Sequence, residues 1–414
     1  MNKKYQFTKW ACYTNNISMS VVANLSPLLF LTFREQYGLS YSQLGFLVLI
    51  NYVTQLSIDL VFSFFSHRFN ITKVVRITPL ITLVGLVVYS VPTMLLPGAA
   101  YAFILLGTII FSSAAGLSEV LTSPVVAAIP SKNPDREMSQ LHSIYAWGVV
   151  GVVVISTVFL TVFGSERWQY LALLWTVIPL TGVIMFAHAT LPPLATPERA
   201  SRAAGIFKDK RMMLCILSIF LGGAVECTMS QWSSGYIESA LGLPKVYGDI
   251  FGVAMFGLAM GAGRTAYAKF GKRIYPILTG GFACSVVCYV VAAVSGNAVV
   301  GLLACGLTGL STAMLWPGSL IMMEDIVPSV GVACYAIMAA GGDLGASLGP
   351  QLVGVIADAA VGIPALSGLA KRLGMSADMM GMRIGLLVAA VLATAGAVLV
   401  LCIWRRFAKN KKAE

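Results

Sequence analysis

Stretches of roughly 18 to 25 apolar residues recur from one end of this 414-residue chain to the other, and no other feature narrows the possible folds as far. At 1.5 Å per helical residue, each is long enough to cross a hydrocarbon layer of about 30 Å. Inside such a layer every backbone N–H and C=O must find its partner within the structure, so the stretches are predicted to be helices. A closed β-barrel would show short alternating segments instead. Only 11% of the residues are charged, against about 25% in a soluble domain. The expected fold class is an all-α membrane protein.

Twelve spans are predicted, with cores at 8–33, 41–66, 74–96, 100–129, 139–163, 168–191, 212–240, 247–270, 274–295, 298–323, 331–359 and 382–404. The opening "MNKKYQFTKW" is read as leading into the first span rather than as a cleaved signal, because the apolar run is too long and lacks a small-residue cleavage site. The one long connection, "LPPLATPERASRAAGIFKDKR", is rich in Pro, Ala and charge. It divides the spans six and six, giving an N-terminal bundle at 1–191, a linker at 192–211 and a C-terminal bundle at 212–414.

Charge tests the count. With a cytoplasmic N-terminus and every span crossing, 22 Lys and Arg lie on the inner side and 6 on the outer, as the positive-inside bias requires. An odd number of spans scrambles that tally. The net charge of +11 is therefore a topology signal, with "RRFAKNKK" near the C-terminus placed to touch anionic lipid. A nucleic-acid partner is not expected, since the basic residues sit at membrane edges. The eight cysteines form no Cys-x-x-Cys and read as small buried hydrophobes.

Four carboxylates break the apolar pattern: Asp59 in span two, Glu119 in span four, Glu226 in span seven and Asp343 in span eleven. An ionised group at mid-helix costs about 2.5 to 3.5 kcal/mol, so relief is needed from protonation, a cation, water or neighbouring donors. Asn51, Gln55 and Asp59 recur every four residues, as do Glu119 and Ser123. Glu226, Ser230 and Ser233 follow at i, i+4 and i+7. Each set lies on one helix face and faces an aqueous path or another helix. Asp343, in "GGDLG", is read first as accepting backbone hydrogen bonds where glycines bring helices close, and Asp59 equally as pairing with Arg68 or a conformational partner.

Trp147, Trp232 and Trp316 lie inside spans, whereas Trp10, Trp168 and Trp404 lie near span ends, where interfacial anchoring is the ordinary explanation. In "SQWSSGY", Gln231 and Trp232 follow Glu226 by about a turn, and amide, flat ring and carboxylate together suit a sugar. Packing is the alternative for these tryptophans. His142, in "LHSIYAWG", is either a proton relay or a hydrogen-bonded packing residue.

The 6+6 layout with a basic linker resembles the major facilitator superfamily over nearly the whole chain. "GLSEVLTSP", "QLHSIYAWG", "GGAVECTMSQWSSGYI", "LWPGSLIMMED" and "GGDLGASLGPQLVGVIAD" resemble spans four, five, seven, ten and eleven of its fucose/galactose/glucose proton-symporter branch. Glu119, Ser123 and Pro124 match the fourth-span acid, small polar residue and proline of that branch; Glu226, Trp232 and Tyr236 match its seventh span. Two departures stand out. Ala23 replaces the first-span aspartate four residues before Pro27, and "FSFFSHRFNITK" lacks the Gly and Asp usual between spans two and three while keeping Arg68 and Lys73.

The resemblance implies two six-helix bundles around a central cavity lined by spans one, four, seven and ten, opening alternately to each side. It further implies a proton-coupled symporter of a small polar solute, a monosaccharide or similar polyol, acting as a monomer in a bacterial-type inner membrane with both termini cytoplasmic. The proton is the coupling ion, Na⁺ being the alternative; no other cofactor and no metal is expected. Proton coupling is expected at Glu119, Glu226 and Asp59. Solute contacts are expected at Asn16, Gln55, Glu119, Ser123, His142, Trp147, Glu226, Gln231, Trp232 and Trp316, and gating at Arg68, Arg264 and Asp343. The rival reading is an exporter of cationic drugs or lipids, disfavoured by the absence of Gly-Pro-x-x-Gly-Gly in span five. An enzyme is not expected, as no hydrolase, metalloprotease or phosphate-binding motif is present.

Overall fold

The computed structural model describes residues 3–65, 68–130, 134–192, 209–270, 273–327 and 332–408. All regular structure among them is helical, and each of the twelve expected spans contains a helix. Among the described residues ten helical segments are individually long and apolar enough to cross a membrane; the bent pair α1 (Gln6–Leu28) and α2 (Phe30–Tyr37) adds an eleventh. The remaining span lies in the 30-residue α6 (Pro134–Phe163), whose apolar part is Trp147–Phe163. The chain is an all-α membrane protein.

Contacts group residues 1–39 with 50–200, and residues 40–49 with 201–414. Most of the linker expected at 192–211 lies outside the described residues.

In the first unit α1 packs on α5 (Ala100–Ala127), α6 and α8 (Val177–His188), while α4 (Ile71–Leu95) packs on α5, α7 (Trp168–Trp175) and α8. Gly85 and Gly107 make the α4–α5 contact close: a Cβ on either would lie 2.6 Å from the backbone N of Phe111 or Tyr89. Span one bends by 48° at Leu29, just after Pro27, which has no N–H to offer the preceding turn. Several polar side chains of α1 are satisfied locally, as lipid demands. Asn16 Nδ2 donates to Leu141 O at 2.9 Å and Ser20 Oγ to Tyr145 O at 2.9 Å, tying α1 to α6, while Asn24 Nδ2 donates to Ser20 O at 2.8 Å within α1. Trp168, expected at the interface, is instead fully buried, its ring edge-on to Phe33, Tyr37 and Tyr89. Aromatic edges fill that space better than water or lipid can.

The second unit contains α9 (Lys210–Leu241), α10 (Met255–Phe270), α11 (Ile274–Val294), α12 (Ala298–Thr312), α13 (Leu315–Ile326), α14 (Val332–Val361), α15 (Pro364–Arg372) and α16 (Ala377–Ile403). A π-helical turn, Gly248–Ala254, precedes α10. There the buried Asp249 takes both carboxylate contacts from Lys245 Nζ at 2.7 Å. Helix α9 packs on α13, α14 and α16. Gly345 and Gly349 of α14 face the Phe220 and Ala224 carbonyls of α9, where a Cβ would stand at 1.9 and 2.7 Å. The stripe of small residues sets the helix spacing. The first turn of α3 (Tyr41–Phe65) belongs to this unit. Its Tyr41 and Ser42 N–H groups donate to Asp358 Oδ1 and Oδ2 at 3.0 and 2.6 Å, so a carboxylate 317 and 316 residues away caps the helix.

Candidate functional site

In the first unit the polar stripe of α3 meets α5. Ser112 Oγ donates to Asn51 Oδ1 at 2.5 Å, and Gln55 Nε2 reaches Asn51 O at 3.5 Å. Both Asn51 and Gln55 are buried. Gly116 of α5 lies against the Gln55 backbone, where a Cβ would be 3.1 Å from its carbonyl oxygen. That close approach, one turn before Glu119, brings the fourth-span acid to within electrostatic reach of Asp59. Asp59 Oδ1 is buried without a hydrogen-bond partner. Glu119 keeps accessible surface although protein atoms surround it. Among the described residues neither acid forms an ion pair. Two carboxylates therefore share one neighbourhood with no cation among the described residues to hold them ionised.

Asn16 is used by its bond to Leu141 O, on the same unit. Trp147 is 69% exposed. The side chains of Ser123 and His142 lie outside the described residues. The expected pairing of Asp59 with Arg68 is not made: Arg68 is exposed and its guanidinium lies over the Phe65 ring at 5.3 Å. A cation–π contact at the helix end keeps that charge near water, which is cheaper than carrying it inward.

In the second unit the acid does have a cation. Arg264 Nη2 stands 3.4 Å from Glu226 Oε1, and Arg264 Nε donates to Ala313 O at 3.0 Å. The carbonyl is free for a sequence reason: its i+4 partner is Pro317, which has no N–H, and span ten breaks between α12 and α13 at that point. Glu226 Oε2 remains buried and unpartnered. One turn earlier on α9, Gly223 abuts Gly342 O, and the Trp316 ring lies against Gly223 and Gly342. The half-buried Trp316 thus lies against α9 one turn before Glu226, and the buried Asp343 follows Gly342 at that contact. Gln231 is buried.

Trp232 occupies a different face. Its ring is 1% exposed, edge-on to Tyr41 at 6.0 Å, and its Nε1 donates to Pro350 O at 2.9 Å. Here the indole is a packing residue, with both its apolar faces and its one donor in use. Tyr236, one turn further on, is likewise buried, its hydroxyl donating to Ala292 O at 2.5 Å.

The arrangement is a set of acids within apolar helices of each unit, each beside a proline- or glycine-marked helix contact. A family model for the Major Facilitator Superfamily matches residues 12–350. The chain belongs to that superfamily.

Its solved structural neighbours agree on the fold. A bacterial homologue of the human lysosomal transporter Spinster aligns with a TM-score of 0.73 at 12% identity, covering 99% of each chain. A D-xylose–proton symporter aligns at 0.71 and 12% identity, over 94% of this chain and 96% of that one. The fucose:proton symporter of E. coli aligns at 0.61 and 11% identity, over 97% and 99%. No curated protein matches the chain by sequence at a significant level. This major facilitator protein is accordingly an integral membrane transporter.

Two residues central to this geometry carry weak sequence signals. Ala313 is betrayed by a proline four positions later in "AMLWPG"; Asp358 is an acid near a span end with no local partner type. Neither is connected to Arg264 or to Tyr41 by any spacing rule.

Proposed function

We propose that this transporter is a proton-coupled symporter of a small neutral polar solute, a monosaccharide or polyol, in a bacterial-type inner membrane. Asp59 and Glu119 hold and release the coupling proton. One observation carries the assignment: these two acids are neighbours without an ion pair among the described residues, one oxygen buried and unpartnered, the other side chain accessible. A proton shared between them relieves both the desolvation of the buried group and the repulsion of its neighbour. Glu226 is less suited to that role, because Arg264 already balances its charge. Its free Oε2, with Trp316 packed against the same helix one turn earlier, is a place for a hydroxylated solute: ring against C–H face, carboxylate toward hydroxyls. Sugar as the solute is supported by the likeness to xylose and fucose symporters, and turnover follows from exposing the acids alternately to the two sides of the membrane.

The same uncompensated acid pair also suits a cationic solute, which keeps an exporter of cationic drugs or lipids as the second reading. Proteoliposomes separate the two. Addition of a panel of monosaccharides should drive proton entry in the parent protein, with D59N and E119Q each reducing solute-coupled proton flux by more than tenfold. Undiminished coupling in both variants removes the pair from the role; replacement of the proton gradient by a sodium gradient with equal uptake assigns the pair to Na⁺. Proton release on addition of an organic cation, with no response to sugars, selects the exporter.

A further inference from the structure

We infer that the second unit carries a binding site for one anionic phospholipid in the groove between α9, α14 and the π-helical turn Trp404–Ala408 that follows α16. The groove has a volume of about 660 Å³, within the range of roughly 300–1,000 Å³ for sites that take a lipophilic small molecule. Its walls are Met213, Leu217, Phe220 and Leu344, and its cations are Lys210 and Arg406. Lys210 begins α9, and Phe220, ten residues on, lies about 15 Å further along the same helix. Charge is therefore confined to one end of an apolar channel three turns long, the complement of a phosphate joined to an acyl chain.

The neighbouring charges sharpen the match. Arg211 is occupied by Asp209, at 3.1 Å through Nε and 3.0 Å through Nη2, so it does not compete for a phosphate. Asp209 is in turn taken up by that arginine and by the Arg211 N–H at 2.8 Å, which removes its repulsion from the mouth. Lys210 and Arg406 remain as exposed cations, and the positive end of the 32-residue α9 adds to their field. With the orientation expected from the Lys and Arg distribution, the mouth lies at the cytoplasmic surface, where basic pockets between spans select anionic head groups.

The full chain in detergent tests this by native mass spectrometry and melting temperature, with dioleoyl phosphatidylglycerol, dioleoyl phosphatidylcholine and inorganic phosphate as probes. Phosphatidylglycerol is expected to be retained as one equivalent and to raise the melting temperature; the other two are not. Each cation contributes about a fivefold preference for an anionic head group, so K210Q/R406Q should weaken retention by roughly 30-fold. R405Q, outside the groove lining, should leave it nearly unchanged. L344W, which fills the channel without altering charge, should also abolish retention, and it serves should the charge variant fail to fold. Equal retention of both lipids, undiminished retention by K210Q/R406Q and L344W, or an equal response to inorganic phosphate would overturn the site.

Discussion

Arg264 Nη2 lies 3.4 Å from Glu226 Oε1, and this pairing across 38 residues separates the acid of the seventh span from those of the first unit. The contact is longer than the roughly 2.7–2.9 Å of a strong charge-assisted bond, and Arg264 is 45% exposed, so its worth is modest. A double-mutant cycle of R264Q and E226Q, read by thermal melting, is expected to give a coupling of about 1 kcal/mol. Additive losses would show that the two side chains do not interact in solution.

Trp232 provides a second test, because burial and solute contact predict different things. W232F keeps most of the ring and loses the bond to Pro350 O, so it is expected to lose about 1 kcal/mol of stability with solute affinity unchanged. W232A should lose about 3–5 kcal/mol. A variant that melts normally but binds solute poorly would place the ring at the solute.

Helix spacing in the second unit rests on glycine. G345A puts a methyl 1.9 Å from Phe220 O, and the expected loss is about 1–3 kcal/mol from overpacking. Gly280 of α11 has nothing within 4 Å of its would-be Cβ, so G280A should gain up to about 1 kcal/mol from helix propensity. Melting temperatures moving in the same direction for both would contradict the packing.

Asp358 caps α3 through two backbone N–H groups. D358A leaves both without their acceptor and should destabilise by about 1–2 kcal/mol, whereas D358N retains one acceptor and loses less. Hydrogen exchange of Tyr41 and Ser42 is the local readout: both amides should exchange faster in D358A and keep more protection in D358N.

Asp209 supplies a pH dependence outside the membrane. Hydrogen bonds from the Arg211 side chain, chiefly, hold its carboxyl below the ordinary carboxylate range. A depressed folded-state value means the stabilisation is complete above the unfolded value of about 3.9 and disappears as pH falls through the folded one. The melting temperatures of the parent and D209N should therefore differ near neutrality and converge below about pH 4. A constant difference across that range would exclude the linkage.

The sequence by itself determined the spans, their helical state and the superfamily resemblance. Apolar length and backbone self-satisfaction are local properties, written residue by residue, and lipid permits no other solution. The stripe Asn51–Gln55–Asp59 was legible for the same reason, since a four-residue repeat defines a helix face without knowledge of the neighbour. What that face meets was not. Gly116 against Gln55 decides that Glu119 joins Asp59, and a carbonyl freed by Pro317 decides where Arg264 anchors before it reaches Glu226. Trp232 and Trp168 likewise look alike in sequence to tryptophans that face lipid or solute, and only packing tells them apart. Tertiary structure alone settled which buried charges have partners, because electrostatic and steric contact depend on distance through space, and residues hundreds of positions apart come within a few ångströms only after the helices have packed.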